Sequence, residues 1–164
     1  MSRARAAAGS LAFLVLAPGL AGGLVPWLIT GWSAHDWGPP ARVVGAVLLA
    51  AGLAVLLRAF ARFVVEGLGT PAPVAPPARL VVGGDYRYVR NPMYLAVASV
   101  ILGQALLLGQ PWLLGYGVAF GAAVAAFVRG YEEPALSRRF GAQYEAYRRA
   151  VPAWWPRRTP WEQG

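Results

Sequence analysis

The feature that most constrains this chain is a series of four long apolar runs, at about residues 10–30, 42–65, 92–109 and 111–130. A helix rises about 1.5 Å per residue and the hydrocarbon core of a bilayer is roughly 30 Å thick, so each run has a membrane-crossing length. Only 13% of the residues are charged, and they fall in the gaps between the runs rather than along one face of each. That distribution separates membrane helices from the amphipathic helices of a soluble core. Hydrophobic residues make up 57% of the sequence, and the expectation is an all-α membrane protein, one domain over residues 1–164 with four transmembrane helices.

Arginine placement sets the expected orientation. All 15 basic residues are arginine. They concentrate at the N-terminus (Arg3, Arg5), around the middle connection (Arg58, Arg62, Arg79, Arg87, Arg90) and after the fourth run (Arg129, Arg138, Arg139, Arg148, Arg149, Arg157, Arg158). The positive-inside rule then puts both termini and the connection at 66–91 on the cytoplasmic side, in a cell inner or plasma membrane. The first run lacks the short apolar region and cleavage site of a signal peptide and reads as an uncleaved span. A net charge of +8 raises nucleic acid as a partner, but arginines that flank apolar runs would meet anionic headgroups of membrane lipids, so no nucleic acid is expected. Without cysteine, and with His35 alone in the short outer connection, no metal site is expected either.

Gln110-Pro111 leaves almost no loop between the third and fourth runs, which must be antiparallel neighbours. The middle connection is interrupted by Pro71, Pro73, Pro76 and Pro77 and cannot be helical there. Small residues recur every four positions at Gly19 and Gly23, and at Gly117, Gly121 and Ala125, where helix contacts are expected. After Pro134 the pattern changes. Leu136, Phe140, Tyr144 and Tyr147 recur at three to four residues beside Arg138, Arg139, Arg148 and Arg149, which predicts a cytoplasmic amphipathic helix at about 134–150, on the membrane surface or packed under the bundle. Trp154, Trp155 and Trp161 read as interfacial anchors.

Two segments carry candidate chemistry: the stretch from Gly83 to Tyr94, and Glu132-Glu133. Because the third and fourth runs form a hairpin, the start of one and the end of the other should meet at the same bilayer face. Asn91-Pro92 is a helix start, with asparagine suited to the N-cap and proline to the first helical position. Its free amides suit an anionic group, and the paired glutamates suit an ammonium or ribose hydroxyls. Together they match the amino-acid end of S-adenosylmethionine. Tyr86, Tyr88 and Tyr94 offer aromatic faces, although tyrosine at a membrane interface is also an ordinary anchor, and Arg87 serves equally well against lipid phosphate.

The sequence Gly84-Asp85-Tyr86-Arg87-Tyr88-Val89-Arg90-Asn91-Pro92-Met93-Tyr94, followed by Glu132-Glu133, Leu136, Phe140-Gly141, Tyr144, Tyr147 and Val151-Pro152, resembles the isoprenylcysteine carboxyl methyltransferase and phospholipid methyltransferase superfamily. The resemblance covers about residues 80–156. It implies a membrane enzyme that transfers a methyl group from S-adenosylmethionine to a hydrophobic or lipid-like small molecule entering from the bilayer, at the cytoplasmic face. It further implies cofactor contacts from Tyr86, Tyr88, Arg90, Asn91, Pro92, Tyr94, Glu132 and Glu133, with Arg90 and Glu133 acting at the reacting groups. Two positions depart from the superfamily's Arg-His-Pro-x-Tyr-x-Gly pattern: Asn91 replaces the histidine and Ala96 the glycine. Asparagine can hydrogen-bond but cannot act as a base near neutral pH. Pro134, directly after the glutamates, is expected to force a helix restart.

Two other classes remain open on the sequence. Integral membrane sterol reductases carry a similar Arg-His-Pro-Asn-Tyr segment and use NADPH. A non-enzymatic membrane protein could keep the same fold as a binding or assembly module. The acceptor, whether carboxylate, amine or thiol, and the oligomeric state are not set by the residue pattern.

Overall fold

The computed structural model describes residues 16–62 and 79–162, together with Ala12 and Val65. Arg3, Arg5, the beginning of the first run and the four prolines of the middle connection lie outside the described residues. The described residues are helical and include no strand. Helix α1 is Leu16–Thr30, α2 Pro39–Arg62, α3 Pro92–Leu107, α4 Pro111–Phe127, α5 Glu133–Phe140 and α6 Ala142–Ala150. A 3₁₀ turn at Gly84–Arg87 precedes α3. Among the described residues two helices are long and apolar enough to cross a membrane, namely α2 and the continuous helix Pro111–Phe140 that α4 and α5 form together, while α1 and α3 are shorter apolar helices.

Proline opens α2, α3 and α4. Its fixed φ suits the first helical position, and its missing N–H would have had no partner there. The α3–α4 turn is closed by Gly109 at φ +61° and by a bond from Gln110 N to Ala105 O of 2.8 Å. A side chain at Gly109 would also run into His35 O. The α1–α2 loop is fastened to this turn, since His35 N donates to Leu108 O at 2.8 Å and Gln110 Nε2 to Ser33 Oγ at 2.8 Å. The hairpin expected at Gln110-Pro111 is therefore present.

The tightest helix contact is between α2 and α3. A Cβ at Gly45 would stand 2.7 Å from Gly103 O, and one at Gly103 2.8 Å from Gly45 O. At Gly52 it would stand 2.8 Å from Ala96 O. No larger residue fits at such backbone approach, which maximises packing where helices gain nothing by leaving water. Gly45, Gly52 and Gly103 are not among the small residues expected at contacts, and those expected positions divide. Around Gly23 and Gly121 a Cβ would meet nothing within 4 Å, whereas at Gly117 it would touch Leu102 of α3 at 3.4 Å, as expected of a contact position. Spacing of small residues is a weak signal in a chain this rich in them, because α1 is positioned by side chains instead. A wide π turn at Leu20–Leu24 leaves carbonyls that Tyr116 Oη takes at Ala21 O, 2.8 Å, and Gln104 Nε2 at Gly22 O, 2.6 Å.

Two further expectations are corrected at the C-terminal side. The helix does not restart at Pro134. It runs on from α4 through a π turn at Val128–Glu132, whose widened coil accommodates the proline that lacks a donor and crowds the preceding turn. The amphipathic segment is not one helix either, because Gly141 at φ +51° separates α5 from α6. Its apolar residues still share one cluster: Tyr144, Tyr147 and Val151 are buried, with Leu136, Phe140, Leu80, Val82 and Trp161 packed against them. Trp161 is thus half-buried against this cluster, whereas Trp155 is exposed.

Candidate functional site

A cavity of about 600 Å³ opens where the start of α3 meets the end of α4. Phe60, Val97, Phe120, Val128 and Ala21 form apolar walls, continuous with the helix core, and Tyr86, Arg90, Asn91, Tyr94, Glu132, Glu133, Tyr144 and Tyr147 form a polar end. The hairpin brings the two segments singled out by sequence to one place. Tyr94 Oη donates to Glu132 Oε1 at 2.6 Å. Arg90 Nη1 donates to Glu133 Oε1 at 2.8 Å and to Tyr144 Oη at 3.1 Å. Adjacent glutamates would point about 100° apart on an ideal helix; lying at the junction of the π turn and α5, both line the same cavity here.

The ion pair is well covered, with Arg90 11% and Glu133 13% exposed at the side chain. Burying two charges costs several kcal/mol per ion unless further hydrogen bonds satisfy them. Glu133 gains a second cation, Arg148 Nη2 at 3.5 Å from Oε2. Arg90 Nε, by contrast, is buried with no partner in the structure. Buried polar atoms are nearly always hydrogen-bonded, so an orphaned donor at a cavity wall is where a ligand acceptor would be stabilised.

Tyrosines close the polar end. Tyr147 Oη donates to Tyr86 O at 2.7 Å, and its ring stands 6.4 Å from that of Tyr144. Burial raises the pKa of Tyr86, Tyr147 and Tyr144, the last two partly offset by the charge of Arg90. All three are neutral hydrogen-bonding groups at physiological pH. In the sequence Tyr144 and Tyr147 belong to the amphipathic pattern and to the superfamily resemblance, but not to the expected cofactor contacts. Their helical spacing alone does not place them at the cavity, which they line because α6 folds back beneath it.

Asn91 lines the cavity, but its side chain does not cap α3. Its Nδ2 instead donates to Ala153 O at 3.2 Å, so the helix start keeps its amides without a side-chain cap. Pro92 is fully buried at the first helical position. Tyr88 is set apart from the others: it does not line the cavity, is 37% exposed, and contributes its backbone carbonyl to Arg157 N at 2.9 Å. Arg87 is likewise engaged elsewhere, with Nε on Trp161 O at 2.8 Å.

The family model for phospholipid methyltransferase matches residues 40–143. The chain belongs to the phospholipid methyltransferase family. The match runs from α2 to the first turn of α6 and takes in both halves of the polar end, Arg90-Asn91 and Glu132-Glu133. Helix α1, Tyr144, Tyr147 and the C-terminal segment lie outside it. No significant match was found among curated proteins or solved structures. As a member of this family, with apolar helices of spanning length, the chain is a membrane methyltransferase.

Proposed function

We propose that this protein is an integral membrane methyltransferase that uses S-adenosylmethionine to methylate a hydrophobic or lipid-like acceptor at the cytoplasmic face. The observation that carries this reading is the cavity with a charged, hydrogen-bonded end built from Arg90, Tyr94, Glu132 and Glu133, which Arg138 and Arg139 also line, and with apolar walls from Phe60, Val97, Phe120 and Val128. Four spans are part of the proposal. Helices α3 and α4 form a hairpin whose second member is long enough to cross, and the apolar sequence of α1 continues back to about residue 10. Both termini are then cytoplasmic by arginine placement.

The residues at the polar end fit the cofactor's amino-acid group. Glu132 and Glu133 suit its ammonium, and the unpartnered Arg90 Nε suits its carboxylate. S-adenosylmethionine, when bound, supplies a methyl group on a sulfonium for in-line displacement. The protein's share is positioning, exclusion of water and placement of charge. Tyr94 holds Glu132 in one orientation, and Arg90 does the same for Glu133. The apolar walls keep the acceptor dry and hold its hydrophobic part. A carboxylate or thiolate acceptor needs no general base, whereas an amine must lose a proton, for which Glu132 or Glu133 is available and Asn91 is not.

Calorimetric titration of the detergent-purified protein with S-adenosylhomocysteine, and in parallel with NADPH, tests the proposal. Saturable binding of S-adenosylhomocysteine alone supports it. Binding of NADPH alone moves the case to a reductase, and silence from both in a folded sample favours a binding or assembly role.

A further inference from the structure

The stretch between the 3₁₀ turn and α3 carries Arg90 and Asn91 yet has no regular ladder of its own, so its backbone groups need partners from elsewhere. The C-terminal segment supplies them. Arg90 N donates to Pro152 O at 2.9 Å, Arg157 N to Tyr88 O at 2.9 Å, and Trp161 N to Arg87 O at 3.0 Å. Side chains reinforce the seam: Asn91 Nδ2 reaches Ala153 O at 3.2 Å and Arg87 Nε reaches Trp161 O at 2.8 Å. Trp161 also packs on Tyr147, ring centroids 5.4 Å apart, and Tyr147 in turn holds Tyr86 O across the polar end of the cavity.

We propose that residues 152–162 are a brace for the polar end of the cavity, with Asn91 and Trp161 as positioning residues that set Arg90 and Tyr147. Trp161 does not line the cavity, so it acts on a ligand there only through Tyr147 and the 87–91 stretch. Arg90 is then held at both ends, its amide by Pro152 and its guanidinium by Glu133 and Tyr144. This leaves the buried Nε fixed and ready for an acceptor rather than free to collapse onto its neighbours. The brace also gives Asn91 a purpose that needs no imidazole, because a neutral amide donor suffices to hold a carbonyl. The segment lies outside the stretch matched by the family model, residues 40–143.

The proposal rests on the methyl-transfer reading for its ligand readout, and a second readout stands apart from it. In the full-length protein in detergent, Trp161→Ala and Asn91→Ala should each speed hydrogen exchange of the Arg90 amide by about tenfold or more, as expected when a tertiary hold is lost and opening becomes local. Both should weaken S-adenosylhomocysteine binding by about tenfold, while Trp161→Phe, which keeps an aromatic ring on Tyr147, stays near the parent value. Unchanged exchange at Arg90 in both alanine variants overturns the brace whatever the ligand does. Faster exchange with unchanged S-adenosylhomocysteine affinity overturns the positioning role and leaves the segment as packing. If the parent protein binds no S-adenosylhomocysteine, the methyl-transfer reading fails, and with it the positioning role in that site; the exchange result alone then decides the brace.

Discussion

Arg90 Nη1 stands 2.8 Å from Glu133 Oε1, joining a residue just before α3 to the head of α5 through two side chains that are nearly buried. Removing one partner strands the other in a poorly solvated place. Arg90→Ala leaves Glu133 with only the more distant Arg148 and should cost about 3 kcal/mol of stability, read as a lowered thermal midpoint of the helical circular dichroism signal in detergent. Glu133→Gln keeps an acceptor for Arg90, so it should remain folded while S-adenosylhomocysteine affinity falls at least about tenfold. Equal affinity in a folded Glu133→Gln protein would remove this residue from the site.

Tyr94→Phe deletes a single hydroxyl that donates to Glu132 at 2.6 Å. A hydrogen bond to a charged group contributes about 1.5–3 kcal/mol, so the loss should appear as roughly a tenfold or larger drop in S-adenosylhomocysteine affinity by calorimetry if Glu132 must be held in one orientation to bind. An effect on stability alone would assign Tyr94 to packing.

The α2–α3 contact should tolerate no side chain at its centre. Gly45→Val and Gly103→Val each drive a Cβ into facing backbone and should destabilise by about 1–3 kcal/mol or prevent folding, whereas Gly121→Ala, with open space around it, should be near neutral. Thermal midpoints of the three purified variants, compared in the same detergent, separate these outcomes.

Alkaline pH should weaken the C-terminal packing. Burial raises the pKa of Tyr86 and Tyr147, so the folded protein holds protons that the unfolded chain releases near pH 10. Stability is therefore whole below that value and declines as the pH rises beyond it. Thermal midpoints measured from pH 8 to about pH 11 should be flat and then fall, and the Tyr147→Phe variant should fall less steeply.

A protease-sensitive tag on either terminus should be protected from protease added outside intact cells, because both termini are proposed to be cytoplasmic. Cleavage at one end only would break the four-span arrangement.

Several features were legible in the sequence because they depend on near neighbours or on the solvent. The apolar runs mark the helices, proline marks where α3 and α4 begin, and Gln110-Pro111 permits only a hairpin, from which the meeting of Arg90 with Glu133 follows by geometry. What the tertiary structure alone decided involves partners far apart along the chain. Gly45 and Gly103 were indistinguishable from many other glycines until two backbones met there. The π turn at Val128–Glu132 carries helix through a proline that read as a break. Tyr88, a cofactor-contact candidate on the motif, stands exposed away from the cavity, whereas Tyr147, part of the amphipathic pattern, lines it. Asn91 stands where local sequence predicts a cap for α3, yet its amide donates to the carbonyl of Ala153. Hydropathy and local geometry settle where helices form, but a side chain with a donor to satisfy goes to whichever acceptor the packed chain brings near, and that is fixed only when distant segments fold together.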